Sequence, residues 1–130
     1  MTLQPPGEVL DQLNAEHAAV AEQIERFAAQ LFDPERRAAA ADSLRELLID
    51  IGMHFGFEES LMEGDAYADL EHHRRQHLGI MTELGLLLDR VAAGGDPAGT
   101  ARSADLLGQW YREHVETSDQ ALLAWLSAAA

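Results

Sequence analysis

The chain contains no cysteine. Disulfides, zinc ribbons, Fe–S clusters and thiol catalysis are excluded together. Basic residues are scarce: 9 Lys and Arg face 23 Asp and Glu, a formal net charge of −14. Phosphate backbones and anionic lipid surfaces attract cations, so neither nucleic acid nor a membrane is an expected partner. No apolar run approaches the length of a membrane span. The opening Met1-Thr2-Leu3-Gln4-Pro5-Pro6 has neither a basic region nor an apolar stretch. A secretory leader is therefore not expected, and a cytoplasmic protein is. β-branched residues are few and nothing alternates with period two, which removes the strand signal. At 130 residues the length suits one ordinary domain, read as spanning residues 1–130.

Proline and glycine punctuate what is there. Pro5-Pro6-Gly7 closes a short N-terminal arm. Asp33-Pro34 reads as a loop whose Asp caps a helix with Pro at its first position. Gly64-Asp65 ends a second long segment, and Gly94-Gly95-Asp96-Pro97 a third, with Gly where helix C-caps favour it. The four segments between these marks are rich in Ala, Leu, Glu, Gln and Arg, which are good helix formers. The first carries Leu10, Leu13, His17, Val20, Ile24, Phe27 and Leu31, alternating steps of 3 and 4. The second carries Leu44, Leu47, Ile51, His54, Glu58 and Leu61. The third carries Leu70, His73, His77, Ile80, Leu84, Leu87 and Val91. The fourth opens with Leu107, Trp110 and His114. Stripes of this period, joined by short loops, predict an all-α, antiparallel up-down-up-down four-helix bundle.

The stripes hold polar groups where apolar ones belong. A buried imidazole needs a partner and a buried carboxylate a cation. One stripe histidine would pass as a satisfied core residue, but five of the six histidines lie on stripes, spread over all four helices. His54-x3-Glu58 and His73-x3-His77 place two side chains on one helix face, where both reach a single point. Asp119 joins them from the fourth segment, five residues after His114, with Leu122 and Leu126 continuing from it. A five-residue step lies about 140° off the same face. Asp119 reaches the core either through a π-bulge or from a flank position. Imidazoles plus carboxylates without thiolate suit iron, manganese or zinc. Seven groups are too many for one such ion and suit two, with bridging carboxylates leaving three histidines to one ion and two to the other. The second ion would keep an open position.

These residues resemble the hemerythrin family in its single-domain bacterial form, the bacteriohemerythrins. The matching runs are His54-Phe55-x2-Glu58-Glu59 followed by Leu61-Met62 and Tyr67, then His73-x3-His77, then Trp110-x3-His114-x4-Asp119, with His17 in the first helix. The likeness extends from about Leu10 to about Leu126. The chain departs from the family pattern at Ala68, where the family has Pro, and at Gly79-Ile80, where it has an aromatic residue. It also lacks the family's aromatic in the N-terminal arm. The resemblance implies two non-haem iron ions, oxo- or hydroxo-bridged, that bind O2 reversibly. It implies that His73, His77 and His114 hold one iron, that His17 and His54 hold the other, and that Glu58 and Asp119 bridge them. O2 is then expected end-on at the iron held by His17 and His54. Phe55, Trp110, Val20, Ile24 and Leu107 are expected to line a dry pocket there.

A binding protein that carries, stores or delivers O2 is thus the leading expectation, and not an enzyme. Oxygen-activating bundles present more carboxylates and Glu-x2-His pairs. No redox or acid/base tyrosine is expected on the stripes, with Tyr67 in a loop and Tyr111 off the core face. The alternatives are a di-iron enzyme acting on peroxide, O2 or nitric oxide, an O2 or redox sensor module, and a metal-free bundle. A monomer is the expected state. His72 and Glu59 lie off the stripes and are expected to face water. Glu16 and Asp50 neighbour His17 and His54 and are read as surface charge, although either is placed to orient an imidazole.

Overall fold

The computed structural model describes residues 6–64 and 67–129, and every regular element among them is helical. The expected arm before Pro6 and Asp65 of the Gly64-Asp65 turn lie outside the described residues. Helix α1 spans Pro6–Phe32, α2 Ala40–Gly64, α3 Leu70–Ala92, α4 Pro97–His114 and α5 Gln120–Ala129. A wide π-helical segment, Val115–Asp119, joins α4 to α5, so these three pieces form one fourth rod. The result is an all-α four-helix bundle in which α1 packs on α2 and α4, and α3 on α2 and α4. Neighbouring rods run in opposite senses. Glu16 bonds His54 while Gln23 bonds Asp50, and Gln76 bonds His114 while Arg90 bonds Ser103.

The helix boundaries follow local chemistry. Pro6 starts α1 itself. Asp33 does not cap α2; its carboxylate accepts the Glu35 N–H at 3.0 Å and its carbonyl those of Arg36 and Arg37 at 3.0 and 2.9 Å. A turn and a short 3₁₀ piece, Arg37–Ala39, intervene before α2. The Asp-Pro cap forms instead at the other site: Asp96 accepts the Gly99 N–H at 3.0 Å with Pro97 beginning α4. Gly94 adopts φ 74°, and the Gly95 N–H returns to the Arg90 carbonyl at 3.0 Å, the bond that closes a helix through a left-handed glycine.

Two apolar clusters fill the bundle. The larger runs through Val20, Ile24, Phe27, Leu44, Ile51, Phe55, Ile80, Leu84, Leu107 and Tyr111, among others. The smaller joins Val9, Leu13, Met62, Leu122, Leu123 and Leu126. Between them lies the layer of buried polar residues that interrupts each stripe. The fourth stripe differs from its expected phase. Trp110 is 38% exposed, and its ring lies so close over Gly79 that a Cβ there would sit 2.9 Å from it. Tyr111, 1% exposed, takes the inward position instead. The stripe therefore steps from Leu107 to Tyr111 to His114, which is as regular as the expected path through Trp110. None of the described helices is long and apolar enough to cross a membrane.

Candidate metal centre

All seven expected ligand residues are buried in that polar layer: His17 on α1, His54 and Glu58 on α2, His73 and His77 on α3, His114 and Asp119 on the fourth rod. One potential ligand atom each from Glu58, His73, His77, His114 and Asp119 lie within 4.8 Å of one another, as do those of His17, His54, Glu58 and Asp119. The two carboxylates belong to both groups, and each divides its oxygens between them. Glu58 Oε2 faces His17 Nε2 at 3.0 Å and His54 Nε2 at 3.2 Å, while Oε1 faces His77 Nε2 at 2.9 Å and His73 Nε2 at 3.4 Å. Asp119 Oδ2 faces His17 Nε2 at 3.0 Å, while Oδ1 faces His73 Nε2 at 2.8 Å and His114 Nε2 at 3.1 Å.

These contacts are short, but of them only His17 to Glu58 has the angles of a hydrogen bond. The Nε2 atoms of His54, His73, His77 and His114, with Glu58 Oε1 and both Asp119 oxygens, are buried without a hydrogen-bond partner among the described residues. Seven convergent, unpaired donor atoms at one buried place carry a large desolvation cost. Buried imidazole and carboxylate atoms that crowd to one place, most of them without a hydrogen bond, are what a bound cation requires. The donor set therefore fits metal ions of the imidazole-and-carboxylate class.

The π segment explains the five-residue step. The Gln120 N–H reaches back to the Val115 carbonyl, the wider closure of a π-turn, and Asp119 turns fully inward. The Thr117 hydroxyl donates to the Glu113 carbonyl at 2.7 Å, one turn back. The Ser118 hydroxyl donates to Gln76 Oε1 at 2.5 Å, and the same oxygen accepts His114 Nδ1–H at 2.9 Å. Gln76 thus ties the distorted turn to the imidazole that precedes it.

Three imidazoles are aimed from behind in this way. Besides Gln76 on His114, Glu16 accepts His54 Nδ1–H at 2.6 Å and Glu59 accepts His77 Nδ1–H at 2.9 Å. Arg74 Nε donates to Glu59 at 3.1 Å, and Arg74 also pairs with Glu63 and Glu71. Glu59 does not simply face water, and Glu16 is more than surface charge. Asp50 orients no imidazole and accepts from Gln23 Nε2 at 2.6 Å. His72 is exposed, as expected. Gln76 escaped the sequence reading because it lies beside His77, off the apolar stripe; its one signal is a polar residue three after His73.

Of the expected pocket residues, Phe55, Val20, Ile24 and Leu107 are buried in the larger cluster. Phe55 stacks on His77 with ring centroids 3.8 Å apart and an angle of 6°. Trp110 is not among them, and Tyr111 stands 6.4 Å from Phe55 in its stead.

Burial lowers the pKa of His17 and of His73, but Asp119 and Glu58 outweigh it and push each up to about 9. Burial likewise opposes the ionised form of Glu58 and of Asp119. The imidazoles around them nonetheless hold both carboxyl groups below their ordinary values. Two buried carboxylates without metal suggest raised values on burial alone; here the facing imidazoles reverse that direction.

A profile of the hemerythrin HHE cation binding domain matches residues 8–126. A bacteriohemerythrin of Ralstonia nicotianae is 32% identical over 75 residues, 58% of this chain and 54% of that protein. A bacteriohemerythrin of Stenotrophomonas maltophilia is 27% identical over 113 residues, 86% of this chain and 71% of that protein. The chain thus spans about half the length of the first relative. No solved structure gives a significant match. With the profile running from α1 to α5 and a buried cluster of imidazoles and carboxylates at its centre, the chain belongs to the hemerythrin family.

Proposed function

We propose that this chain binds O2 reversibly at a non-haem di-iron centre, as a carrier, store or delivery protein. His73, His77 and His114 hold one iron in this reading, His17 and His54 the other, and Glu58 and Asp119 bridge them. The observation that carries it is the division of each carboxylate between the two imidazole groups, one oxygen to each side. A mononuclear site has no use for that arrangement. Two ferrous ions supply the two electrons that holding O2 requires.

The protein's own part is orientation and exclusion. Glu16, Glu59 and Gln76 fix the tautomers of His54, His77 and His114 so that Nε2 is left free to ligate. Phe55, Val20, Ile24 and Leu107 keep bulk water from the larger cluster's side. A surface cleft of about 350 Å³ between α1 and α2, bordered by Glu16, Val20, Met53 and His54, gives small molecules a way toward the two-histidine side.

Binding rather than catalysis is favoured by the ligand set, five imidazoles against two carboxylates. Tyr111 faces the core, so the expectation of no inward tyrosine fails. That residue favours the second reading, a di-iron enzyme acting on O2 or peroxide, which turnover would reveal. In the same reading residues 1–130 form one hemerythrin-like unit and the protein is a cytoplasmic monomer; a net charge of −14 suits a chain free in solution. Metal analysis tests the core of the reading. Protein made in iron-replete cells is expected to carry two irons per chain, and one zinc at full occupancy would contradict it.

A further inference from the structure

Among the described residues Tyr111 is the largest fully buried side chain, and the centre described above gives it no task. Its ring lies 6.4 Å from Phe55, whose own ring is stacked on His77 and 6.0 Å from His114. Its hydroxyl has no hydrogen-bond partner among the described residues. A buried phenol without a partner destabilises the fold, and phenylalanine would fill the same apolar cluster without that cost. The position is one turn before His114 and three residues after Gly108, where the fourth rod backs closely onto Ile24 of α1. Phe55, the ring that Tyr111 faces, also lies 5.9 Å from the His54 ring, so Tyr111 enters the core beside a ring that borders both histidine groups. Burial, with the negative charge of Asp119, Glu58 and Glu16, holds the phenol well above its ordinary pKa, so the group stays a donor.

We propose that Tyr111 is a ligand-binding residue of the centre, donating a hydrogen bond from its hydroxyl to the outer atom of a small ligand held on the His17 and His54 side. The ligand class is dioxygen or a short linear anion whose free end accepts a hydrogen bond. This inference rests on the di-iron reading. It makes the pocket polar at one point, where the surrounding Phe55, Val20, Ile24 and Leu107 offer no donor. A ligand that gathers negative charge when bound gains most from such a donor.

The test uses the full chain and Tyr111→Phe, with azide as the probe. Both proteins are loaded with iron and oxidised, and azide is titrated by its visible charge-transfer absorption. Y111F is expected to bind azide about tenfold more weakly, the worth of one hydrogen bond to a charged acceptor. The metal-free forms are melted in parallel. Metal-free Y111F is expected to melt no lower than wild type, because the hydroxyl removed has no partner in the fold. Equal azide affinity in two fully iron-loaded proteins overturns this inference alone. A lower melting point of metal-free Y111F with azide affinity unchanged also overturns it, and makes the hydroxyl a structural group. A wild-type chain that takes up no iron overturns the di-iron reading and this inference with it.

Discussion

Insertion of one alanine between Glu116 and Thr117 is expected to abolish metal binding, whereas deletion of Glu116 is expected to preserve it. The π segment Val115–Asp119 absorbs one residue more than an α-helix of the same length would. A second extra residue has no such place to go. It rotates everything downstream by about 100°, the angle one residue subtends in an α-helix. Asp119 then leaves the centre, and Leu122, Leu123 and Leu126 leave the smaller apolar cluster. The loss falls on metal and stability together. Deleting Glu116, an exposed residue, brings the His114-to-Asp119 spacing to four. An ordinary α-helix already places residues four apart on one face, and the stripe continues inward through the three leucines. Iron content and helicity of the two variants check this. Full metal in the insertion variant would show that Asp119 is dispensable. Complete loss in the deletion variant would show that the wide turn itself, and not the phase it restores, is what the site requires.

Metal removal is expected to expose a pH dependence that the loaded protein lacks. In the metal-free chain His17 and His73 hold their protons up to about 9, against an ordinary 6.5. Their contribution to stability is complete below the ordinary value and fades as pH rises through the folded one. Glu58 and Asp119 shift the other way, so their contribution is present above the ordinary carboxylate range and fades only in stronger acid. Both hold in the mildly acidic window, and only the histidine part is lost on going alkaline. The direction of these shifts predicts that the metal-free protein melts lower at pH 9 than at pH 6. Bound metal reverses the preference, since ligating imidazoles must be neutral. The loaded protein should hold its melting point to alkaline pH and lose its metal in acid. Melting in chelator and with iron, at both pH values, checks this. A flat metal-free profile would mean that the imidazoles and carboxylates do not face one another as described.

The bundle and the seven buried residues of the polar layer were legible because each stripe has a period that a wrong residue interrupts. A histidine at position 54 or 77 is conspicuous only when Ile51 and Ile80 mark the same face. The phase slip around residues 114–119 was legible for the same reason, since the stripes on either side are regular but one residue out of phase; a π-bulge and a flank position accounted for it equally, and the structure has the π-turn. Legibility failed where phase was ambiguous. From Leu107, a step of three reaches Trp110 and a step of four reaches Tyr111, and both fit a helix. The choice is made by Gly79 on α3, whose missing side chain lets the Trp110 ring lie outside the seam. That is a relation between two helices, invisible within either. Glu16, Glu59 and Gln76 were misread or missed for a related reason. Each lies beside a member of the polar layer in sequence but serves a histidine on another helix, so only the packing of α1 on α2, α2 on α3 and α3 on α4 assigns them. Asp33-Pro34 and Asp96-Pro97 carry the same local signal. Only the second begins a helix directly, while at the first a turn intervenes.

The central claim is reversible O2 binding at two irons, and cycling the gas over the reduced protein tests it most directly. Iron-loaded protein is reduced without oxygen, exposed to O2, then stripped with inert gas while the visible spectrum is followed. A charge-transfer band that appears with one O2 per two irons, vanishes on stripping and returns on re-exposure is the predicted result. Consumption of O2 without a recoverable band, or no uptake by a fully iron-loaded chain, would contradict it.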